Sequence, residues 1–421
     1  MHTHTTRRAF LKGSLSSAAL VALAPTVPQF LVSASARAAE GKGETVLVVV
    51  QLSGGNDGLN TVIPYADDAY LKARPSLKVG AETVRKIDDY VGLHPSMEGF
   101  SKLLEAGQLG IIQGVGYPNP DRSHFSSMDI WHTARHGAAS RDMSEIRSHR
   151  ATGWLGRCLD KNFSQREQVD IPGLHLGSGS GLMPLALVGE EVRVASVQAL
   201  EGFKLQTGGD ERIDRAIKDV AAAPREGDDL VAFVQRGTLS ALDSSRRVQE
   251  AVRTYKTDVK YPDSGLAGRL KTVAQLIDAG LHTRVYYLDL DGFDTHASQA
   301  GAHAGLLTEL SAAVAAFVKD LGQHGHGQRV AVVTFSEFGR RLKENASQGT
   351  DHGAAAPMFV AGGRVKPGLI GRHPSMTDLD EGDLKFHTDF RSVYAGVVEH
   401  WLGVKSEPVL GAKFEPLRVT A

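Results

Sequence analysis

The chain has 421 residues, charged side chains at 23% and a formal net charge of -1. That length allows one large α/β domain or two smaller ones, each with a real core, and the balanced charge removes the electrostatic case for nucleic acid or an anionic membrane as partner. Cys158 is the single cysteine, so no intrachain disulfide forms, and a lone cysteine reads as a small core residue.

Arg7-Arg8-Ala9-Phe10-Leu11-Lys12 is a twin-arginine signature, followed by an apolar run from Leu15 to Val32 and by small residues at Ala34, Ala36 and Ala38. Residues 1–38 are read as a twin-arginine export signal cleaved before Ala39. The expected partner is the twin-arginine export machinery, and the expected location periplasmic or extracellular. Pro25 and Pro28 interrupt the apolar run, which favours cleavage over a stable membrane anchor.

In the mature chain, Glu44 to Leu52 is an apolar strand running into Ser53-Gly-Gly-Asn-Asp-Gly58. Glycines there allow a sharp turn that exposes Asn56 and Asp57. The spacing of Gly54, Gly55 and Gly58 fails the dinucleotide fingerprint. His94 to Ala106 reads as a helix and Leu109 to Val115 as a strand, which empties into Asp121-Arg-Ser-His-Phe-Ser-Ser127 and a further helix. A serine at that helix start, Ser123 or Ser126, sits among unpaired N–H groups that suit an attacking oxyanion or a bound oxyanion group. The same serine also reads as a plain cap.

Residues 209–280 are read as mainly helical, a layer or insertion rather than a second domain. With no linker and no internal repeat, residues 39–421 form one domain. Thr283 to Leu290 returns to strand and ends in Asp291-Gly-Phe-Asp-Thr-His296; a long amphipathic helix over Leu306 to Leu321 leads to the strand Val330 to Phe335. This is βαβ grammar, which predicts a parallel sheet. The second strand delivers Ser336 and Glu337, a polar loop carries Asp351 and His352, and Pro357 to Val360 starts another strand. His387 and Asp389, before the last helix, are read as structural.

Polar groups thus follow several buried strands in turn: Asp57; Ser123 and Ser126; Asp294 and His296; Glu337, with Asp351 and His352 beyond. Polar residues at the carboxyl ends of parallel strands mark where open α/β sheets place their sites. Carboxylates mixed with imidazoles suit a divalent metal, Zn or Mn foremost.

Val-Val-Thr-Phe-Ser-Glu-Phe-Gly, then Thr-Asp-His-Gly and Pro-Met-Phe-Val, resembles the C-terminal core of the alkaline phosphatase, sulfatase and cofactor-independent phosphoglycerate mutase superfamily. Asp291 to Leu321 resembles the preceding metal motif of that superfamily, and Gly-Gly-Asn-Asp-Gly its first aspartate turn. With the twin-arginine leader, Arg-Ser-His-Phe and Ser-Glu-Phe-Gly-Arg, nearly all the mature chain is similar to the exported domain-of-unknown-function 1501 family. The resemblance implies an alkaline-phosphatase-like α/β fold, with a mostly parallel central sheet, helices on both faces and a helical insertion.

It also implies an exported metal-dependent hydrolase of phosphate or sulfate esters, acting on a small anionic substrate. Asp57, Asp294, His296, Glu337, Asp351 and His352 are then candidate metal ligands, Ser123 or Ser126 the nucleophile, and Arg122 and Arg340 the partners of the transferred anion. Two departures bear on this. Phe338 stands where the superfamily has an imidazole, and one residue rather than three separates Asp294 from His296. The sulfatase modification signature is absent. The alternative is a non-catalytic periplasmic binding or assembly protein that keeps the fold around a degenerate metal site.

Overall fold

The structure is a computed structural model that describes residues 44–135, 152–163, 172–178, 183–192, 194–197 and 253–420. The expected export signal, the stretch 136–151 and residues 209–252 of the expected helical region lie outside the described residues.

Strand β1 (Val46–Ser53) is a valine-rich, mostly apolar run, the pattern of a strand covered on both faces. Its alternate side chains enter two cores. Val46, Val48, Val50 and Leu52 pack in the first, with helices α2 (Glu98–Glu105), α5 (Gly265–Asp278) and α6 (Gln299–Gln323). Leu47 and Val49 pack in the second, against α3 (His124–Thr133), α4 (Trp154–Phe163) and α7 (Phe390–Gly396). A short helix α1 (Asp68–Ala73) precedes Arg74. Buried Cys158 fits the expected core role.

The remaining strands of the main sheet are β2 (Leu109–Gly116), β3 (Gly173–Leu176), β4 (Ala195–Val197), β5 (Val285–Asp291), β6 (Val330–Phe335), β9 (Ala356–Gly362), β10 (Gly368–Ile370) and β11 (Thr388–Asp389). Between β6 and β9 lie β7 (Arg340–Glu344) and β8 (Thr350–His352), which form a separate hairpin. Among the described residues the sheet has nine strands, in the order β10-β2-β9-β6-β1-β5-β3-β4, with β11 beside β2. Only β9 runs antiparallel to its neighbours in it. The fold is therefore the expected mostly parallel α/β sheet with helices on both faces.

Three features of this layout position the site. The β5–α6–β6 crossover spans β1, which pairs with both strands in parallel, so three strand ends open side by side. The hairpin pairs Arg340 with His352 and so folds the second half of the polar loop back over the end of β6. Gly54 adopts φ +117°, and a Cβ there would lie 2.3 Å from the Asp294 backbone nitrogen. The β1 turn thus packs directly on the loop that carries Asp294.

Candidate metal centre

Ser123 occupies the N-cap position of α3, so the next residue, His124, projects from the first helical turn. Ser127, one turn on, is buried; its Oγ donates to the Glu337 carbonyl (2.5 Å) and lies 2.7 Å from the Tyr117 hydroxyl. This contact fixes α3 against the end of β6. His124 Nδ1 lies 2.9 Å from Glu337 Oε1, and His124 Nε2 lies 3.5 Å from Asp294 Oδ2.

Asp294 Oδ1 is the hub of the cluster. Arg340 Nη2 donates to it at 2.8 Å, His296 Nε2 stands 3.1 Å away and His352 Nε2 3.2 Å away. The two imidazole Nε2 atoms are themselves 2.9 Å apart. One ligand atom from each of His124, Asp294 and His352 lies within 4.8 Å of the others; His296 touches Asp294 and His352 but stands beside that set.

The opposite ring nitrogens are all anchored. His352 Nδ1 is 2.8 Å from the Arg122 carbonyl, which only accepts, so that nitrogen carries the proton. His124 Nδ1 faces the Glu337 carboxylate, and His296 Nδ1 lies 3.4 Å from Asp351 Oδ1. Metal-binding histidines are held this way, the far N–H on a carboxylate or carbonyl and the near lone pair aimed at the ion. With the protons on the Nδ1 atoms, the Nε2 lone pairs of His296 and His352 would face Asp294 and a cation held beside it. Donors at ~2.0–2.1 Å from a tetrahedral zinc lie ~3.3 Å apart; His296 and His352 are 3.1 and 3.2 Å from Asp294 Oδ1, and His124 is 3.5 Å from Oδ2. Two imidazoles and one carboxylate, His124, His352 and Asp294, suit a single Zn²⁺ or a similar borderline ion, with His296 at its flank.

The electrostatics agree. Burial pushes the Asp294 carboxyl up, but the hydrogen bond and charge of Arg340 outweigh it and hold it down at about 2. The hydrogen bond to Glu337 raises His124, and the bond from Asn345 is the chief reason Asp351 is lowered. Asp294, His296 and Asp351 are 47%, 44% and 59% exposed, so the cluster opens to solvent on one side and is anchored in the core on the other.

The site residues expected from sequence separate into two groups. Asp294, His296 and His352 come together. Asp57 does not: it is fully buried, paired with Arg74 at 2.6 and 3.1 Å, and receives the Gln299 amide at 2.5 Å. Glu337 and Asp351 stand behind His124 and His296 rather than among the converging atoms. Glu337 is fully engaged, taking the Gly54 N–H (2.8 Å) and His124 on Oε1 and the Ser336 hydroxyl (3.1 Å) on Oε2. Arg340 is neither a surface ion pair nor a free anion receptor. It is buried and donates to the carbonyls of Gly54, Gly55, Phe293 and Thr350 as well as to Asp294. Arg122 binds Asp383.

Ser123 is exposed and its side chain makes no capping hydrogen bond; Ser126 is half-buried. Phe338 is buried with its ring 5.0 Å from that of His124 and 4.5 Å from that of His352, forming the floor under both. Asp389 caps α7 through the Arg391 N–H, a structural role as read from sequence.

His124 is the residue that sequence reasoning passed over. Its signal lay in Arg-Ser-His-Phe, where an imidazole opens a helix just past a buried strand. Because Glu337 orients that imidazole, Glu337→Gln is expected to weaken metal affinity by ~10–100-fold, the usual cost of losing a ligand's supporting partner. A single amide oxygen cannot accept from Gly54, His124 and Ser336 at once. Calorimetric metal titration of the variant, with its thermal midpoint as control, checks this.

A mostly parallel α/β sheet with imidazoles and a carboxylate gathered at its strand ends defines the class as α/β proteins with a candidate single-metal centre. The chain belongs to the family described as "Protein of unknown function (DUF1501)", which matches residues 44–383. No curated protein matches it. Among solved structures it is similar to the lipoteichoic acid synthase LtaP from Listeria monocytogenes, at 11% identity over 92% of this chain and 78% of that one, with a TM-score of 0.40. It is also similar to the PsFucS1 sulfatase from Pseudoalteromonas sp., at 10% identity over 96% and 77%, TM-score 0.40. A third is a protein in the alkaline phosphatase superfamily from Vibrio parahaemolyticus, at 8% identity over 88% and 69%, TM-score 0.40.

Proposed function

We propose that the chain is a metal-dependent hydrolase of phosphate or sulfate esters, exported by the twin-arginine route and acting in the periplasm or outside the cell. The observation that carries the reading is the convergence of His124, His296 and His352 Nε2 on Asp294, each ring anchored at Nδ1. Zn or Mn held there would supply a Lewis acid to the ester oxygens, or a water acidified for attack. Ser123 is the proposed nucleophile: its hydroxyl is exposed, is not spent on capping and precedes His124 at the positive end of α3. Ser126 is the reserve. Ser127 is excluded by its burial and its bond to the Glu337 carbonyl.

Of the proposed ligands, Asp294, His296, His352 and His124 form the inner set. Glu337 and Asp351 orient the histidines, Arg340 holds Asp294, and Asp57 belongs to the layer beneath. A second reading, a non-catalytic binding or assembly protein, is favoured by Phe338, whose ring fills the place of an imidazole.

The test is elemental analysis of the mature protein purified without chelators, followed by a panel of phosphate and sulfate esters. About one equivalent of metal with turnover, abolished in Ser123→Ala without loss of metal, supports the hydrolase. Metal with no turnover of any ester supports the second reading. No metal, bound or taken up on titration, overturns the metal centre itself.

A further inference from the structure

Resting on the hydrolase reading, we infer that the reacting group of the substrate is a singly charged tetrahedral oxyanion ester, a phosphodiester or a sulfate ester, rather than a doubly charged phosphate monoester. The basis is how the charges around the cluster are already committed. Arg340 is spent on Asp294 and four carbonyls. Arg74 is locked on Asp57 with neither side chain exposed. Arg122 and Arg341 both bind Asp383, the latter at 3.3 Å. Among the described residues these four guanidiniums are therefore all paired, Arg122 and Arg341 with the same carboxylate, and a second negative charge on the ligand would have to compete with those carboxylates.

The formal count leads to the same conclusion. Asp57, Asp294, Glu337, Asp351 and Asp383 stand against Arg74, Arg122, Arg340 and Arg341. Five carboxylates against four guanidiniums leave one negative charge, with the three histidines neutral in the anchored tautomer. A divalent cation turns that into one positive charge. A monoanionic ester neutralises it, whereas a dianion overshoots in a site whose mouth carries the exposed carboxylate of Asp351. One uncompensated charge at contact range in partly solvated surroundings is worth about tenfold in affinity.

The experiment compares ligands on the metal-loaded protein at mildly alkaline pH. Calorimetry measures binding of dimethyl phosphate and methyl sulfate, both monoanions, against methyl phosphate, a dianion. Turnover is followed with bis(4-nitrophenyl) phosphate, 4-nitrophenyl sulfate and 4-nitrophenyl phosphate. The monoanions are expected to bind about tenfold tighter or better, with turnover in the same order, and the stronger of the two separates diester from sulfate ester. Asp351→Asn, compared at equal metal content, is expected to narrow the gap. Tighter binding and faster turnover of the dianion, or a gap unchanged in Asp351→Asn, overturns the inference and leaves the hydrolase standing. Bound metal with neither binding nor turnover of any of these compounds overturns the hydrolase reading, and this inference with it.

Discussion

Asp294→Asn is expected to strip the protein of its metal while leaving it folded. The carboxylate is shared by all three imidazoles: Oδ1 faces His296 and His352 at 3.1 and 3.2 Å, and Oδ2 faces His124 at 3.5 Å. Held at about 2 against the push of burial by the hydrogen bond and charge of Arg340, it is ionised at any working pH. An asparagine keeps an oxygen for Arg340 but removes the one anionic donor among neutral rings. Losing a supporting partner behind a ligand already costs ~10–100-fold in affinity, so losing the ligand is expected to cost at least ~100-fold. Since the side chain is 47% exposed, the thermal midpoint should stay within a few degrees, roughly the range of ordinary surface changes. Metal titration and thermal denaturation of the same sample decide it. Wild-type affinity in the variant would place the metal elsewhere.

How far the sequence carried this site depends on the distance over which each feature is specified. The ends of β1, β5 and β6 were legible because buried parallel strands write themselves as β-branched runs and glycines punctuate their turns. Asp294, His296 and His352 follow from that grammar. His124 was passed over because its partner Glu337 is 213 residues away, so that Arg-Ser-His-Phe read locally as a helix cap with competing serines. The burial of Asp57 escaped the sequence for the same reason: the Gly-Gly-Asn-Asp-Gly turn announces an exposed aspartate, and only the fold brings Arg74 onto it. The hairpin over residues 340–352 was read as a loop because Lys-Glu-Asn-Ala-Ser-Gln-Gly has no two-residue alternation. Strand direction is likewise absent from a local pattern, so β9 gave no sign that it runs against β6.

The pair that displaced the Asp57 expectation supports the other large prediction: Arg74→Met is expected to destabilise the fold by about 3–5 kcal/mol, the cost of leaving a buried charge without its partner. Asp57 and Arg74 are both fully buried. Burial alone would raise the Asp57 carboxyl, but the Arg74 charge and hydrogen bonds outweigh it, with His303 and Gln299 adding to them, and the carboxyl ends below its ordinary range. The contribution of the pair is therefore complete at neutral pH and is lost as the pH falls through that lowered value. Against a total of ~5–15 kcal/mol for a typical domain, the loss is large.

It also reaches the site, because Gln299, which donates to Asp57, accepts from Thr295 and Thr350 at 3.0 and 2.6 Å, neighbours of Asp294 and His296 and of Asp351. Asp57→Asn combined with Arg74→Met removes the stranded charge and is expected to recover at least half of the lost stability, measured by denaturant titration. Metal content separates the two roles of Asp57. A residue of the buried layer lets the double variant keep its metal, whereas a ligand would take the metal with it, and that result would return Asp57 to the inner set.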